Sequence, residues 1–542
     1  MLLFMSTKSV NLAASHHPLW LPPLADNLAL LAGLVATAAL PPFRGTGWLI
    51  LFALALLLRV LLTSSHPART AWLFGLSHQL SLLYWLFFLE PAASIPTRWL
   101  VPVQAILTIL YVSLFYLVFG WTFRLIRDRG SRVVALTLAP VLWTGMEAWR
   151  AAGELGFPWC LVGSAWLETP LRSLLATCGE IGLSGATVFT AAVIVALFSL
   201  HGRFGLPMAK GIWRVVFVAG GAVLWMGLGW GAGWRATETG NPPGLTRSTT
   251  AVRIAAVQAN VALEDKWQRA KIDSTVVPYT QLTKAAAQAG ADFVVWAETA
   301  VPAYVVAGKE PQLLVWLRQT ARENNVFLYT GFPDAKLSSD GTLMRYNSSG
   351  LFGPNGDLID RYAKHHLLPV GERMPFSKYL PFVSKLDMGQ AEWTPGDLPC
   401  PLTAATDAGN LRFSGLICFE SIFASLARNA VRCGAELLVN ITNDGWFGET
   451  AGPRQHAALA RMRGIECGVP LVRCANNGIS YILDENGAFL ARADLGQRNF
   501  IVADVKLRAG ATLFVRVGAM PLLIYLIAWT LLALAMTYRK TQ

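Results

Sequence analysis

The chain has 542 residues, 54% of them hydrophobic and only 14% charged, and its mean hydropathy is +0.43. Soluble domains carry about 25% charged residues, so this composition excludes a wholly soluble globular protein and predicts a large membrane part. The net charge of +12 comes from scattered basic residues, many in short loops between apolar segments, which points to membrane topology and away from nucleic acid as a partner. Seven cysteines without a CxxC pair or regular spacing argue against a disulfide scaffold and a zinc site; no metal and no cofactor is expected.

Windows long enough to cross a bilayer, about 20 residues, fall at 27–43, 47–64, 70–90, 99–122, 133–149, 181–200 and 213–232, with an eighth at 518–537. The first is expected to act as an uncleaved anchor. The segment 124–132 carries four arginines, and Arg203, Lys210 and Arg214 cluster in a later loop. The positive-inside rule then puts the N-terminus, these loops and the C-terminal tail in the cytoplasm. Seven crossings deliver residues 233–510 to the opposite side, and the eighth brings the tail back. The expected organisation is a membrane domain over 1–235, a polar linker over 236–250, a folded unit over 251–506 and a C-terminal membrane helix over 511–538.

In the folded unit short β-rich runs alternate with helical ones. Strands are predicted at 252–259, 292–298, 327–331, 411–418, 437–442 and 470–474, and helices at 266–288, 310–324, 421–432 and 453–467. That alternation indicates an α/β layer structure.

Three groups stand out by position. Glu298, in Val294-Val-Trp-Ala-Glu-Thr-Ala300, is a carboxylate at the end of a buried strand, suited to act as a general base toward a thiol. Lys364, in Arg361-Tyr-Ala-Lys-His-His-Leu-Leu-Pro-Val-Gly-Glu372, can pair with that carboxylate and stabilise an oxyanion. Cys418 ends an apolar strand and precedes a predicted helix, where the helix dipole favours the thiolate. Taken singly each has a plainer reading. Cys418 reads as a core thiol, Glu298 as a helix cap and Lys364 as a solvated loop charge.

Together, Trp296-Ala-Glu-Thr299, Lys364 with His366-Leu-Leu-Pro-Val-Gly-Glu372, and Cys418-Phe-Glu420 resemble the Glu-Lys-Cys signature of the nitrilase (carbon–nitrogen hydrolase) superfamily. The resemblance covers about 255 residues and implies a four-layer αββα sandwich. Seven spans before such a unit and one after it resemble the layout of the apolipoprotein N-acyltransferase family. So do Gly156-Phe-Pro-Trp159, Asn443-Asp-Gly-Trp-Phe-Gly448 and Gly510-Ala-Thr-Leu-Phe-Val-Arg-Val-Gly518. The implied fold is thus α/β plus membrane helices, the sandwich inserted between the seventh and eighth helices.

The same resemblance implies Glu298 as general base, Lys364 as oxyanion partner and Cys418 as a nucleophile that becomes a thioester. It implies supporting roles for Glu372, Glu420 and Phe419, the last at a position where some members carry tyrosine. Trp267, Asn443, Trp446 and Phe447 are implied at the substrate cleft, the two aromatics Trp446 and Phe447 as water excluders. The implied partners are a membrane phospholipid as acyl donor, a diacylated apolipoprotein as acceptor and the lipid bilayer. The protein is expected to be a monomer of a bacterial inner membrane, its catalytic unit periplasmic. Two rivals stand beside this reading: a membrane-tethered amidase or nitrilase acting on a small amide, and a non-catalytic receptor or transporter.

Overall fold

The computed structural model describes residues 24–90, 98–200, 245–518 and 524, apart from 267, 308–309, 377–378, 380–391 and 408. The N-terminal part is helical: α1 (Leu24–Ala38), α2 (Leu49–Leu61), α3 (Pro67–Leu82), α4 (Val101–Arg129), α5 (Arg132–Arg150) and α6 (Leu175–Leu200). The chain supplies the expected start signals at several of them. Pro67 and Pro102 sit in the first turns of α3 and α4, and the Ser131 side chain accepts the Val134 N–H to cap α5.

Helix α4 buries Ala105, Ile109, Val112, Tyr116, Phe119 and Phe123 at steps of three and four, one stripe of a 3.6-residue period. Its other faces expose Leu107, Leu110, Leu114, Leu117 and Trp121. A helix apolar on every side does not face water. Among the described residues two segments, Val101–Arg129 and Pro170–Phe198, are long and apolar enough to cross a bilayer, whereas α1 and α2 are shorter apolar helices. The six windows at 27–43 through 181–200 are therefore helical but not six equal spans. The window at 70–90 departs most: α3 stops at Leu82, and Tyr84–Phe88 winds as a 3₁₀ turn. That turn is drawn aside by partners in the C-terminal unit, with Trp85 Nε1 donating to Gln455 Oε1 at 2.9 Å. The seventh window and nearly all of the eighth lie outside the described residues.

The C-terminal unit holds two six-stranded sheets. The first, in the order β12-β1-β2-β3-β4-β5, comprises β12 (Asn499–Gly510), β1 (Leu245–Gln258), β2 (Phe293–Trp296), β3 (Phe327–Leu337), β4 (Leu343–Phe352) and β5 (Leu358–Ala363). The second, in the order β11-β10-β9-β8-β7-β6, comprises β11 (Phe489–Ala493), β10 (Ser480–Leu483), β9 (Leu471–Ala475), β8 (Leu437–Thr442), β7 (Gly409–Ile417) and β6 (Leu402–Thr406). In each sheet three central strands run parallel and antiparallel strands flank them. The sheets face each other through one core, in which the Phe413 ring meets Phe293 at 4.9 Å and Tyr329 at 5.0 Å.

A short helix α7 (Leu263–Lys266) precedes α8 (Ile272–Gln288) and α9 (Pro311–Asn324), which pack on the first sheet. Helices α10 (Ala424–Arg432) and α11 (Gly452–Cys467) pack on the second, and α12 (Leu513–Val517) closes the described chain. The layers are thus helix, sheet, sheet, helix. The α10–α11 layer is also covered from outside, because its residues share one core with α1–α6. Helix α11 is buried on nearly every side as a result.

Three boundaries differ from the sequence expectation. The linker's end, 245–250, is strand, because β1 extends to pair Leu245 with Gly510 of β12. For the same reason the folded unit runs past 506. The helix expected over 421–432 is a 3₁₀ turn, Cys418–Ile422, followed by α10 after Phe423 adopts an extended backbone.

Candidate active site

The chemistry-bearing residues gather where same-direction strands end. Glu298 lies two residues past β2, Lys364 directly after β5, Cys418 directly after β7 and Asn443 directly after β8. Carboxyl ends of parallel strands are where an α/β sheet opens a crevice for ligands, so two sheets stacked face to face contribute to one site.

Glu298 is buried and its two oxygens are held separately. Asn347 Nδ2 donates to Oε1 at 2.8 Å, and the Asn443 backbone N–H donates to Oε2 at 3.0 Å. Lys364 Nζ lies 3.9 Å from Oε1. The same ammonium donates to Glu372 Oε1 at 2.9 Å and lies 2.8 Å from Oε2. Asn347 Nδ2 reaches Glu372 Oε1 at 3.0 Å as well, so one amide bridges both carboxylates. Burial alone pulls a lysine's pKa down; here Glu372, Cys418 and Glu298 outweigh it and hold Lys364 above the ordinary lysine range. Lys364 is fixed between two carboxylates that favour its charged form.

Cys418 has φ of +52°, in the left-handed region that non-glycine residues seldom occupy. Neighbours hold this turn. Ser421 Oγ donates to the Cys418 carbonyl at 2.9 Å, and His456 Nε2 lies 3.1 Å from the same oxygen. Glu420, fully buried, accepts from Ile417 N at 2.7 Å on one oxygen. On the other it accepts from the Tyr362 hydroxyl at 2.7 Å, His365 N at 2.8 Å and His366 N at 3.1 Å. Glu420 therefore ties the cysteine's turn to the segment that carries Lys364; it is a clamp between the two sheets.

Burial pushes the Cys418 thiol up, Glu298 adds to this, and Lys364 and a hydrogen bond with Thr442 only partly oppose it. This corrects the expectation of a helix-favoured thiolate. The turn that follows Cys418 is a five-residue 3₁₀ segment, too short to supply a useful dipole, and a carboxylate faces the sulfur. Burial and Glu298 thus favour the protonated form of Cys418.

Aromatic side chains wall the site toward the N-terminal helices. Phe157 stacks on Trp159 at 5.8 Å and on Phe419 at 6.1 Å. Phe447 meets Trp85 edge-on at 4.9 Å, and Trp85 meets Trp159 at 4.9 Å. Gln455 Oε1 accepts from both indoles, at 2.9 and 2.8 Å. The Trp446 carbonyl accepts the Glu90 N–H at 2.9 Å. Trp267 lies outside the described residues.

Several residues here escaped the sequence reading. Asn347 sits in mid-strand with nothing local to mark it. Lys266 is buried and donates to the Glu298 carbonyl oxygen at 2.8 Å; burial pulls its pKa down to about 8 against the pull of Glu298 and Cys418. Beneath the cysteine's turn lies a buried chain of Arg473, Asp444 and His456, with Arg473 Nη2 at 2.7 Å from Asp444 Oδ2 and Asp444 Oδ1 at 3.0 Å from His456 Nδ1. Burial works against the Asp444 carboxylate, but Arg473 and His456 outweigh it and hold its pKa down at about 2. Among the described residues no cluster of three or more His, Cys, Asp or Glu could hold a metal ion.

A family model described as carbon-nitrogen hydrolase matches residues 253–512. A second, for the apolipoprotein N-acyltransferase N-terminal domain, matches residues 32–193. An apolipoprotein N-acyltransferase of Geobacter metallireducens is 34% identical over 457 residues, which cover 83% of each chain. The chain belongs to the apolipoprotein N-acyltransferase family. A further member, from Photobacterium profundum, is 30% identical over 93% of each chain. Among solved structures, an amidase from Nesterenkonia sp. AN1 is similar at 19% identity and a TM-score of 0.36, covering 48% of this chain and 93% of that one. Family membership joins the helical half and the two-sheet half into one enzyme.

Proposed function

We infer that this chain transfers a fatty acyl chain from a membrane phospholipid, through a thioester on Cys418, to the α-amino group of the diacylglyceryl-cysteine at the N-terminus of apolipoproteins. The observation that carries this reading is the convergence of Glu298, Lys364 and Cys418 at one strand-end crevice, in a member of this family whose site is walled by aromatics of its lipid-facing half.

In the first half-reaction the Cys418 sulfur attacks the ester carbonyl carbon, and Glu298 accepts the thiol proton. Its other contacts keep the carboxylate aimed: Asn347 and the Asn443 N–H hold one oxygen each. Lys364, pinned by Glu372, supplies positive charge to the oxyanion of the tetrahedral intermediate. As the intermediate collapses the C–O bond breaks, the proton returns from Glu298 to the leaving alkoxide, and a lysophospholipid departs. In the second half-reaction the acceptor's amine attacks the thioester carbon. Glu298 takes a proton from the amine, the C–S bond breaks, and Cys418 is released and reprotonated.

Such a cycle must keep water from the thioester. The stacked Phe157, Trp159 and Phe419, with Phe447 and Trp85, give the site an apolar wall suited to this. In this reading the chain crosses a bacterial inner membrane eight times, with its termini cytoplasmic and the two-sheet unit inserted on the periplasmic side between the seventh and eighth helices. Both substrates are anchored in the same bilayer and enter sideways, so no acyl chain is exposed to water at about 0.8 kcal/mol per CH₂.

The test is an acyl-transfer assay in detergent micelles, with labelled phospholipid and a diacylated lipopeptide. The wild-type chain forms the triacylated product. Hydrolysis of soluble amides without any acylated product would establish the amidase rival instead.

A further inference from the structure

Two of the seven cysteines differ from the rest: Cys400 and Cys433 are both exposed, whereas Cys160, Cys178, Cys467 and Cys474 are buried and Cys418 is half-buried. Their sulfurs lie 3.5 Å apart although the residues are 33 positions apart in sequence. Neither is on a free tail. Cys400 stands between Pro399 and Pro401, whose rings restrict the backbone on both sides, immediately before β6. Cys433 is the C-cap of α10, its N–H bonded to the Asn429 carbonyl and its own carbonyl held by Arg412 Nη2 at 3.2 Å. Asn429 Nδ2 donates to the Pro399 carbonyl at 3.2 Å and so ties the two segments together beside the thiols.

We propose that Cys400 and Cys433 are joined by a disulfide in the mature protein, and that this bond braces α10, the helix that follows the nucleophile's turn. The sulfurs have to close from 3.5 Å to the covalent distance of about 2.05 Å, on a surface open to an oxidant. The reaction is thiol–disulfide exchange. A disulfide-carrying oxidant, a thiol oxidoreductase or glutathione disulfide, is reduced to two thiols; it takes up the two protons as the Cys400–Cys433 bond forms. The proposal rests on the reading that the two-sheet unit faces an oxidising compartment.

The bond is tested on the full chain in its native membrane. Cells are quenched in acid, free thiols are blocked with N-ethylmaleimide in denaturant, and unreduced peptides are mapped by mass spectrometry. The expected result is one peptide pair linked through Cys400 and Cys433, lost on phosphine treatment with the gain of two alkylatable thiols. Maleimide on both residues, or pairing of either with a different cysteine, overturns the proposal. In the former case the purified chain is exposed to glutathione disulfide. Closure there means that the compartment reading failed while the pairing geometry stands; no closure means that the pairing itself is wrong. Phosphine should lower the melting temperature of the wild-type chain by several degrees and leave that of a C400S/C433S variant unchanged. Equal behaviour of the two would refute the bracing role.

Discussion

Other residues hold Cys418 in a backbone conformation that it would not choose by itself. Its φ of +52° lies in the left-handed region, and Glu420, two residues on, gathers four donors from two segments. Glu420→Gln keeps the shape but turns one acceptor into a donor that faces N–H or O–H groups. Bonds to charged groups are worth about 1.5–3 kcal/mol each, so this variant should lose at least about 2 kcal/mol of stability and most of its transfer activity. Thermal unfolding beside an acyl-transfer assay checks this; unchanged stability would show that the clamp is dispensable. The thiol itself is pushed up by burial and by Glu298, so its reactivity at neutral pH depends on the base. Glu298→Gln should slow alkylation of Cys418 by iodoacetamide by about 10²-fold or more, in line with general-base contributions. An unaltered rate would mean that another group takes the proton.

At the scale of elements, the site is a set of strand ends and one helix face. Helix α11 places Gln455 against the indoles of Trp85 and Trp159, His456 under the Cys418 carbonyl, and Arg463 toward Glu180. The Asp444 carboxylate links this helix to Arg473 of β9. Its folded pKa is depressed to about 2, so its contribution to stability is present above the unfolded value and lost as pH falls through about 2. Arg473→Met removes the cation that holds it down. That variant should lose about 3–5 kcal/mol by leaving a buried charge unpaired, and its acid unfolding should begin at higher pH than in the wild type. Chemical denaturation across pH 2–7 measures both, and coincident acid limbs would argue against the role given to Arg473.

The strands legible in the sequence were the central, mostly parallel ones, such as 292–298, 411–418 and 437–442. Most of their residues are buried on both faces, and apolar residues dominate their sequences. The flanking strands were not legible. Leu358–Ala363 exposes Asp360 and Arg361, and Phe489–Ala493 is exposed over most of its length; pairing with neighbours makes them strands, not composition. Glu298 and Cys418 were legible because each ends a predicted strand, and Lys364 because it shares a family motif with them. Asn347 and the Arg473–Asp444–His456 chain were not, because only the stacking of two sheets and a helix brings them together.

In the whole molecule, the helical half and the layer of α10 and α11 meet in one shared core. The junction is polar and buried as well as aromatic. Arg463 Nη2 lies 2.8 Å from Glu180 Oε2, and the Glu180 N–H donates to Glu466 Oε1 at 2.7 Å. Arg461 reaches Glu168 at 2.8 Å. Replacing Arg463 by Met strands two buried carboxylates and should cost about 3–5 kcal/mol. Transfer from phospholipid should fall more than alkylation of Cys418, since the two halves loosen while the turn of Cys418 stays held by Glu420. Equal losses in the two assays would place the damage at the thiol itself.

In the proposed cycle Cys418 carries the acyl chain between two lipid substrates. Purified protein in detergent, incubated with phospholipid labelled in its acyl chain and no acceptor, should accumulate label on the Cys418 peptide. That label should be released by neutral hydroxylamine and pass to a diacylated lipopeptide when one is added. Absence of label on Cys418 during active transfer, or full transfer by Cys418→Ala, would contradict the account.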